Sequence, residues 1–204
     1  MSEISTPRSE LVTPKKHRLS TETPRAVHSG TPAKIKESAG ELQNFIHEWS
    51  KLHMSGSVVL NSIKSVKLDA LRSSDFESAY PQGLQERCDQ LQNVVDKMEL
   101  CLANLSILVH QFSALMKLNA LQQGGNDEVV YLSWSTEKFR QSLQTIYDAY
   151  SKELKLKNVI KEEVAHSTSK ERLVYYITNW MLQPNIGHSC QLLCESLFCE
   201  TGLR

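Results

Sequence analysis

The side chains able to bind a metal or attack a substrate gather near the C-terminus, in His188-x-Cys190-x-x-x-Cys194-x-x-x-x-Cys199. Imidazole and thiolate are zinc ligands, and Cys190 and Cys194, four apart, share one face of a helix. Structural zinc sites favour closely spaced Cys-x-x-Cys pairs, and none occurs here. A Cys/His nucleophile needs a thiol of depressed pKa, and nothing in the surrounding sequence points to one. The five cysteines therefore read as reduced thiols, buried or half-buried. The eight glycines form neither Gly-x-x-x-x-Gly-Lys nor Gly-x-Gly-x-x-Gly, so there is no phosphate cradle, and His-Glu-x-x-His is missing. His166, after a run of charged residues, is expected to cap the carbonyls of a helix end rather than bind a ligand. No catalytic residue, metal or cofactor is expected.

A second chemistry is clearer. Thr6, Thr13, Thr23 and Thr31 each precede proline. Proline holds its predecessor extended, as a proline-directed kinase requires, so these four threonines are candidate phosphorylation sites. Thr13-Pro14-Lys15-Lys16 and Thr31-Pro32-Ala33-Lys34 add the downstream basic residue that suits a cyclin-dependent kinase. Pro14-Lys-Lys-His-Arg18 also fits a weak nuclear-import signal.

These threonines belong to a segment rich in Pro, Ser and Thr that cannot bury enough apolar surface to order itself. Residues 1–31 are expected to be a disordered, Thr-Pro-rich basic tail, and 32–204 a helical bundle or coiled-coil domain. The chain of 204 residues has zero formal net charge and a mean hydropathy of −0.36. Its charge is uneven: residues 1–34 hold six Lys/Arg and three Glu. The body is mildly acidic, which argues against direct nucleic-acid binding. No apolar run approaches the roughly 18 residues of a membrane span, and no signal-peptide block opens the chain.

Helical periodicity dominates the body. Ile35, Leu42, Phe45, Trp49, Leu52, Val59, Ile63 and Val66, with Ser38, Gly56 and Ala70, step by three and four, which is a heptad seam. Thr31-Pro32 suits its start, and Gly56 is a point where the helix is expected to loosen or break. Leu84, Cys88, Leu91, Val95, Met98, Leu102, Leu105, Val109, Phe112 and Met116 form a second seam. Val94, Cys101, Leu108 and Leu115 widen it enough for more than one neighbour. A third stripe, Phe139, Leu143, Ile146, Tyr150, Leu154, Ile160 and Val164, starts at a Ser135 or Thr136 cap. A fourth helix from Lys170 to Leu182 buries Leu173, Tyr176, Ile177, Trp180 and Met181, stops at Pro184 and packs antiparallel to the third. Leu192, Leu193, Leu197 and Phe198 predict a last short helix closed by Gly202. Only Val129 to Leu132 reads as extended. The fold class is all-α: a long antiparallel hairpin plus a shorter C-terminal helical pair near one end. Seams this long are expected to bury poorly within one chain and to be completed by another. Trp49, Phe139, Leu143, Tyr150, Leu154 and Trp180 are the candidate partner-facing anchors. Lys152-Glu-Leu154-Lys-Leu156 fits the basic-x-Leu-x-Leu pattern of cyclin-docking peptides, but Leu154 lies on the buried stripe.

Tyr150-Ser-Lys-Glu-Leu154-Lys-Leu156-Lys157-Asn-Val159, followed by Glu162, Ala165 and His166, resembles the cyclin-dependent kinase 2-interacting protein family. Trp180, Gln183-Pro184 and Glu200-Thr201-Gly202 agree, as do Lys34-Ile35-Lys36, Ala39, the spacing to Trp49 and the Thr13-Pro14 leader. Residues 64–129 match only in helical character. Trp134-Ser135 stands where the family tends to have Trp-Pro. The resemblance implies a nuclear, non-enzymatic adaptor. Its implied partners are AAA+ ATPase subunits, a second small helical adaptor, and cyclin-dependent kinase and replication kinase complexes, with no membrane. Large-ribosomal-subunit maturation, replication-fork maintenance and checkpoint signalling are the implied settings. A purely structural coiled-coil subunit of another assembly is the alternative.

Overall fold

A computed structural model of the chain describes residues 30–72, 81–122, 129 and 131–204. Its helices are α1 (Thr31–Arg72), α2 (Leu84–Gln122), α3 (Thr136–Val164), α4 (Lys170–Leu182) and α5 (His188–Thr201). The described residues contain no strand; Val129 makes one isolated bridge, to Ser135. Ser135 caps α3 by accepting from the Lys138 amide at 3.3 Å, and Ser169 caps α4 by accepting from Arg172 at 3.2 Å. Gln183 ends α4 in the left-handed conformation ahead of Pro184, and Gly202, at φ 66°, ends α5.

Two side-chain contacts show the chain directions: Arg87 donates to Ser62 between α2 and α1, and Asn158 donates to Glu99 between α3 and α2. α1 packs on α2, and α2 on α3, each pair antiparallel. α4 and α5 return between α1 and α3, contacting both. The result is an up-down-up-down four-helix bundle whose fourth helix is broken at 183–187. Phe45 and Trp49 reach across its interior to Tyr150, with ring centroids 4.8 and 5.0 Å away.

This arrangement alters three expectations. First, the seams are satisfied within the chain. Leu42, Leu60, Ile63, Leu91, Val95, Met98, Ile146 and Leu173 are all fully buried. An α1 of 42 residues, about 60 Å long, finds cover because α2 matches its length and α4 and α5 together line its other side. Second, α1 runs unbroken through Gly56. The glycine is there for contact: a Cβ at position 56 would lie 2.1 Å from Cζ2 of Trp180. Third, Met181 and Leu192 are exposed, and Cys190 and Cys194 take the inward places on α5. α2 is long and apolar enough by length and composition to cross a membrane. Its main stripe is instead spent on α1 and α3.

Candidate functional site

The most unusual chemistry in the molecule is a buried polar node where α1, α3 and the break after α4 meet. Glu153 and Lys157, one turn apart on α3, have no exposed side-chain surface. The Lys157 ammonium lies 3.4 Å from Glu153 Oε1 and 3.4 Å from His53 Nδ1. It also donates to the Trp180 carbonyl at 3.3 Å and sits 4.0 Å from the centre of the Trp180 ring. Glu153 Oε2 accepts from the backbone and side-chain amides of Asn185, each at 3.1 Å. The Trp180 indole donates to the His53 carbonyl at 3.1 Å, and the Trp49 indole donates to Gln183 Oε1 at 2.8 Å. The node thus fastens both sides of the α4–α5 break to α1 and α3. Both side chains are fully buried, and their bonds tie the break to the bundle.

Burial, then the charge of Lys157, pushes His53 down to about 4. Burial pushes Lys157 down to about 8 against the opposing attraction of Glu153. The unfolded chain takes up a proton on His53 near pH 6.5 that the folded chain refuses, so folding stability falls as pH drops through about 6.5 towards 4. Lys157 has the same sign at alkaline pH: the folded chain releases its proton first, and stability rises between about 8 and 10.5. Chemical denaturation at pH 7 and pH 5 should differ by about 2 kcal/mol from His53 alone. His53→Asn should flatten that difference; an unchanged slope would assign it elsewhere.

The candidate anchors Trp49, Phe139, Leu143, Tyr150, Leu154 and Trp180 are all buried in the chain's own core. In this conformation they offer nothing to a partner, because α4, α5 and α1 already cover the stripe they form. Leu154 lies within α3, so an extended cyclin-docking peptide around it would require that helix to unwind. Thr31 opens α1, and the Lys34 beyond it is ion-paired to Glu37 at 2.7 Å. A kinase reading Thr31 as an extended site must therefore undo the first turn. Thr6, Thr13, Thr23 and the 14–18 basic run lie outside the described residues. His188 and Cys199 are exposed while Cys190 and Cys194 are buried, so the C-terminal quartet does not converge. Among the described residues no group of three His, Cys, Asp or Glu is placed to hold a metal. At the C-terminus of α3 Lys67 of α1 donates to the Ala165 carbonyl, a cation at the negative end of the helix.

α2 carries a second heptad stripe outside the bundle: Leu100, Asn104, Ile107, Gln111, Ala114, Leu118 and Leu121, alternating steps of four and three. Leu100, Ile107, Leu118 and Leu121 are between 54% and 82% exposed. Across from it, α1 presents Glu37, Glu41, Asn44 and Glu48. Between the two lie grooves of about 440 and 360 Å³ that share Glu41 and Leu108 and are floored by Phe45, Leu52, Leu105 and Phe112. The stripe was legible in principle, but the dense apolar composition of α2 hid a second seam behind the first. Val174, Tyr175, Met181 and Leu182 give α4 a smaller exposed apolar strip.

No family model matches the chain. Among curated proteins, it is 27% identical over 205 residues to a cyclin-dependent kinase 2-interacting protein of Bos taurus, spanning 91% of this chain and 97% of that one. The Mus musculus protein of the same name is 28% identical, over 89% of this chain and 95% of its own length. The Xenopus laevis one is 25% identical over 95% of each. Over about nine-tenths of its length the chain is similar to these cyclin-dependent kinase 2-interacting proteins. Among the residues that carried the resemblance, Glu153, Lys157, Trp180, Gln183 and Trp49 belong to the node.

Proposed function

We propose that this chain is a non-enzymatic adaptor, and that the α1–α2 groove is where it receives a partner helix. The observation that supports this most is the outer seam of α2, which the bundle does not need for its own core. Four large exposed apolar side chains at coiled-coil spacing run along α2, and Leu100 at one end lines the groove with Lys97 opposite Glu41 and Glu48 of α1; such a seam suits the Leu/Ile stripe of an amphipathic helix. Burying those side chains at about 25 cal/mol per Å² of apolar surface favours occupancy. The relatives are named for interaction with cyclin-dependent kinase 2, and we extend a kinase-linked role to this chain on that basis. The family resemblance supports a finer reading: a nuclear subunit that pairs with a second small helical adaptor on an AAA+ ATPase assembly. Ribosomal large-subunit maturation and genome maintenance at replication forks would be its settings.

The test is affinity purification from cells with the intact chain and with Leu100→Asp/Ile107→Asp. Both positions are exposed, so the melting curve should be unchanged. Recovery of a helical partner should fall at least tenfold. A double variant that retains every partner would remove the groove from the assembly surface. If recovered partners include neither kinase nor ATPase subunits, the alternative of a structural coiled-coil subunit elsewhere gains the field.

A further inference from the structure

The outer seam of α2 is also unusual in what it lacks. No Asp, Glu, Lys or Arg lies between Glu99 and Lys117. Within that stretch Leu100, Asn104, Ile107, His110, Gln111 and Ala114 all face solvent. The solvated face of a helix ordinarily carries charge, so an outer face this long without any is built to be covered. The identity of the cover follows from the charges at its ends, and rests on the reading of this face as a docking surface.

The seam is self-complementary when it meets a second copy of itself running the opposite way. Setting Ile107 level with Gln111 of the second copy places Leu100 level with its Leu118, Asn104 with its Ala114 and Lys97 with its Leu121, and a two-fold axis repeats each layer. Large apolar side chains then meet at both ends, and the Lys97 stem lies along Leu121 with its ammonium in water. On its own chain Lys97 stands across the groove from Glu41 and Glu48. The other flank decides the direction. Glu99 and Lys117 are five helical turns apart at about 3.6 residues per turn, so they share one side of α2. That side faces α3, from which Asn158 holds Glu99 through Oε1. An antiparallel pair brings each Lys117 beside Glu99 of the second copy. A parallel pair would instead set Lys97, Glu99 and Lys117 each against its own like.

We propose that two copies of this chain associate through the outer seams of α2, antiparallel about a two-fold axis, with Glu99 and Lys117 pairing across it. From Leu100 to Leu121 the contact is about 32 Å long. One helix pair of that length buries less than the roughly 800 Å² per partner of a standard interface, so the dimer is of micromolar strength and yields to a tighter helical partner. The chain thereby keeps its apolar face covered while no other partner is bound.

Sedimentation of the full chain from about 1 to 300 µM reads this. The mass should rise from one chain towards two across the range. Leu100→Asp/Ile107→Asp should stay monomeric throughout, with an unchanged melting curve at low concentration. Glu99→Lys alone, or Lys117→Glu alone, should weaken association roughly tenfold, since the two-fold axis repeats each reversed pair. Glu99→Lys/Lys117→Glu should restore it, as only the antiparallel arrangement requires. A chain monomeric to the top of the range, a dimer indifferent to the seam variant, or single reversals without effect would overturn the proposal. Failure of the docking reading looks different: Leu100→Asp/Ile107→Asp would then leave recovery of other proteins intact. A monomeric chain whose seam variant still loses those proteins keeps that reading and dismisses only the second copy.

Discussion

Glu153→Leu is expected to cost about 3–5 kcal/mol of folding stability, because it leaves the Lys157 ammonium buried without its counter-charge. It also strips Asn185 of the acceptor for two hydrogen bonds. Against a total of roughly 5–15 kcal/mol for a domain, such a loss brings the chain close to unfolding. The buried pair itself is a different matter. Removing both charges relieves two desolvation penalties, so Glu153→Leu/Lys157→Met is expected to recover a large part of the loss. A double-mutant cycle by chemical denaturation measures this. Additive losses in the double variant would mean that the two groups are stabilised separately by their other neighbours. The variants should also free the segment from Gln183 to Gly187, and faster amide exchange there would report it.

Gly56→Ala is the second large effect. In an exposed helix the change would stabilise by about 1 kcal/mol, since alanine is the better helix former. Here the sign reverses. The new methyl would fall 2.1 Å from Trp180, a ring that has no exposed surface, donates to the His53 carbonyl and covers Lys157. The ring cannot retreat without giving up those contacts, so a net loss of about 2 kcal/mol or more is expected, at the upper range of overpacking costs. Thermal or denaturant melting checks it. Trp180→Leu should be nearly indifferent to Gly56→Ala, since the smaller side chain leaves room for the methyl. A stabilised Gly56→Ala chain would show that α1 and α4 separate more readily than their packing suggests.

The two predictions also show how far periodicity alone carries. Every member of the third stripe, from Phe139 to Val164, is buried, and the caps at Ser135 and Ser169 are where the local chemistry places them. Such features follow from near neighbours: side-chain spacing on a 3.6-residue turn and unsatisfied amides at a helix start. Gly56 marks the limit. Its local property, weak helix propensity, pointed to a break, whereas a ring 124 positions later decides its role. Glu153 and Lys157 show the same limit. Read locally they are an ordinary ion pair one turn apart on a charged helix, of the sort usually left in water.

What the sequence determined by itself is the set of amphipathic helices, their ends and the all-α class, because each depends on residues within a turn or two of one another. Tertiary structure decided which stripes face inward together. By folding α4 and α5 back as a fourth arm, it turned six expected partner anchors into core and left a stripe on α2 uncovered. That choice depends on matched helix lengths and on contacts between residues a hundred positions apart, and a linear pattern does not carry such information.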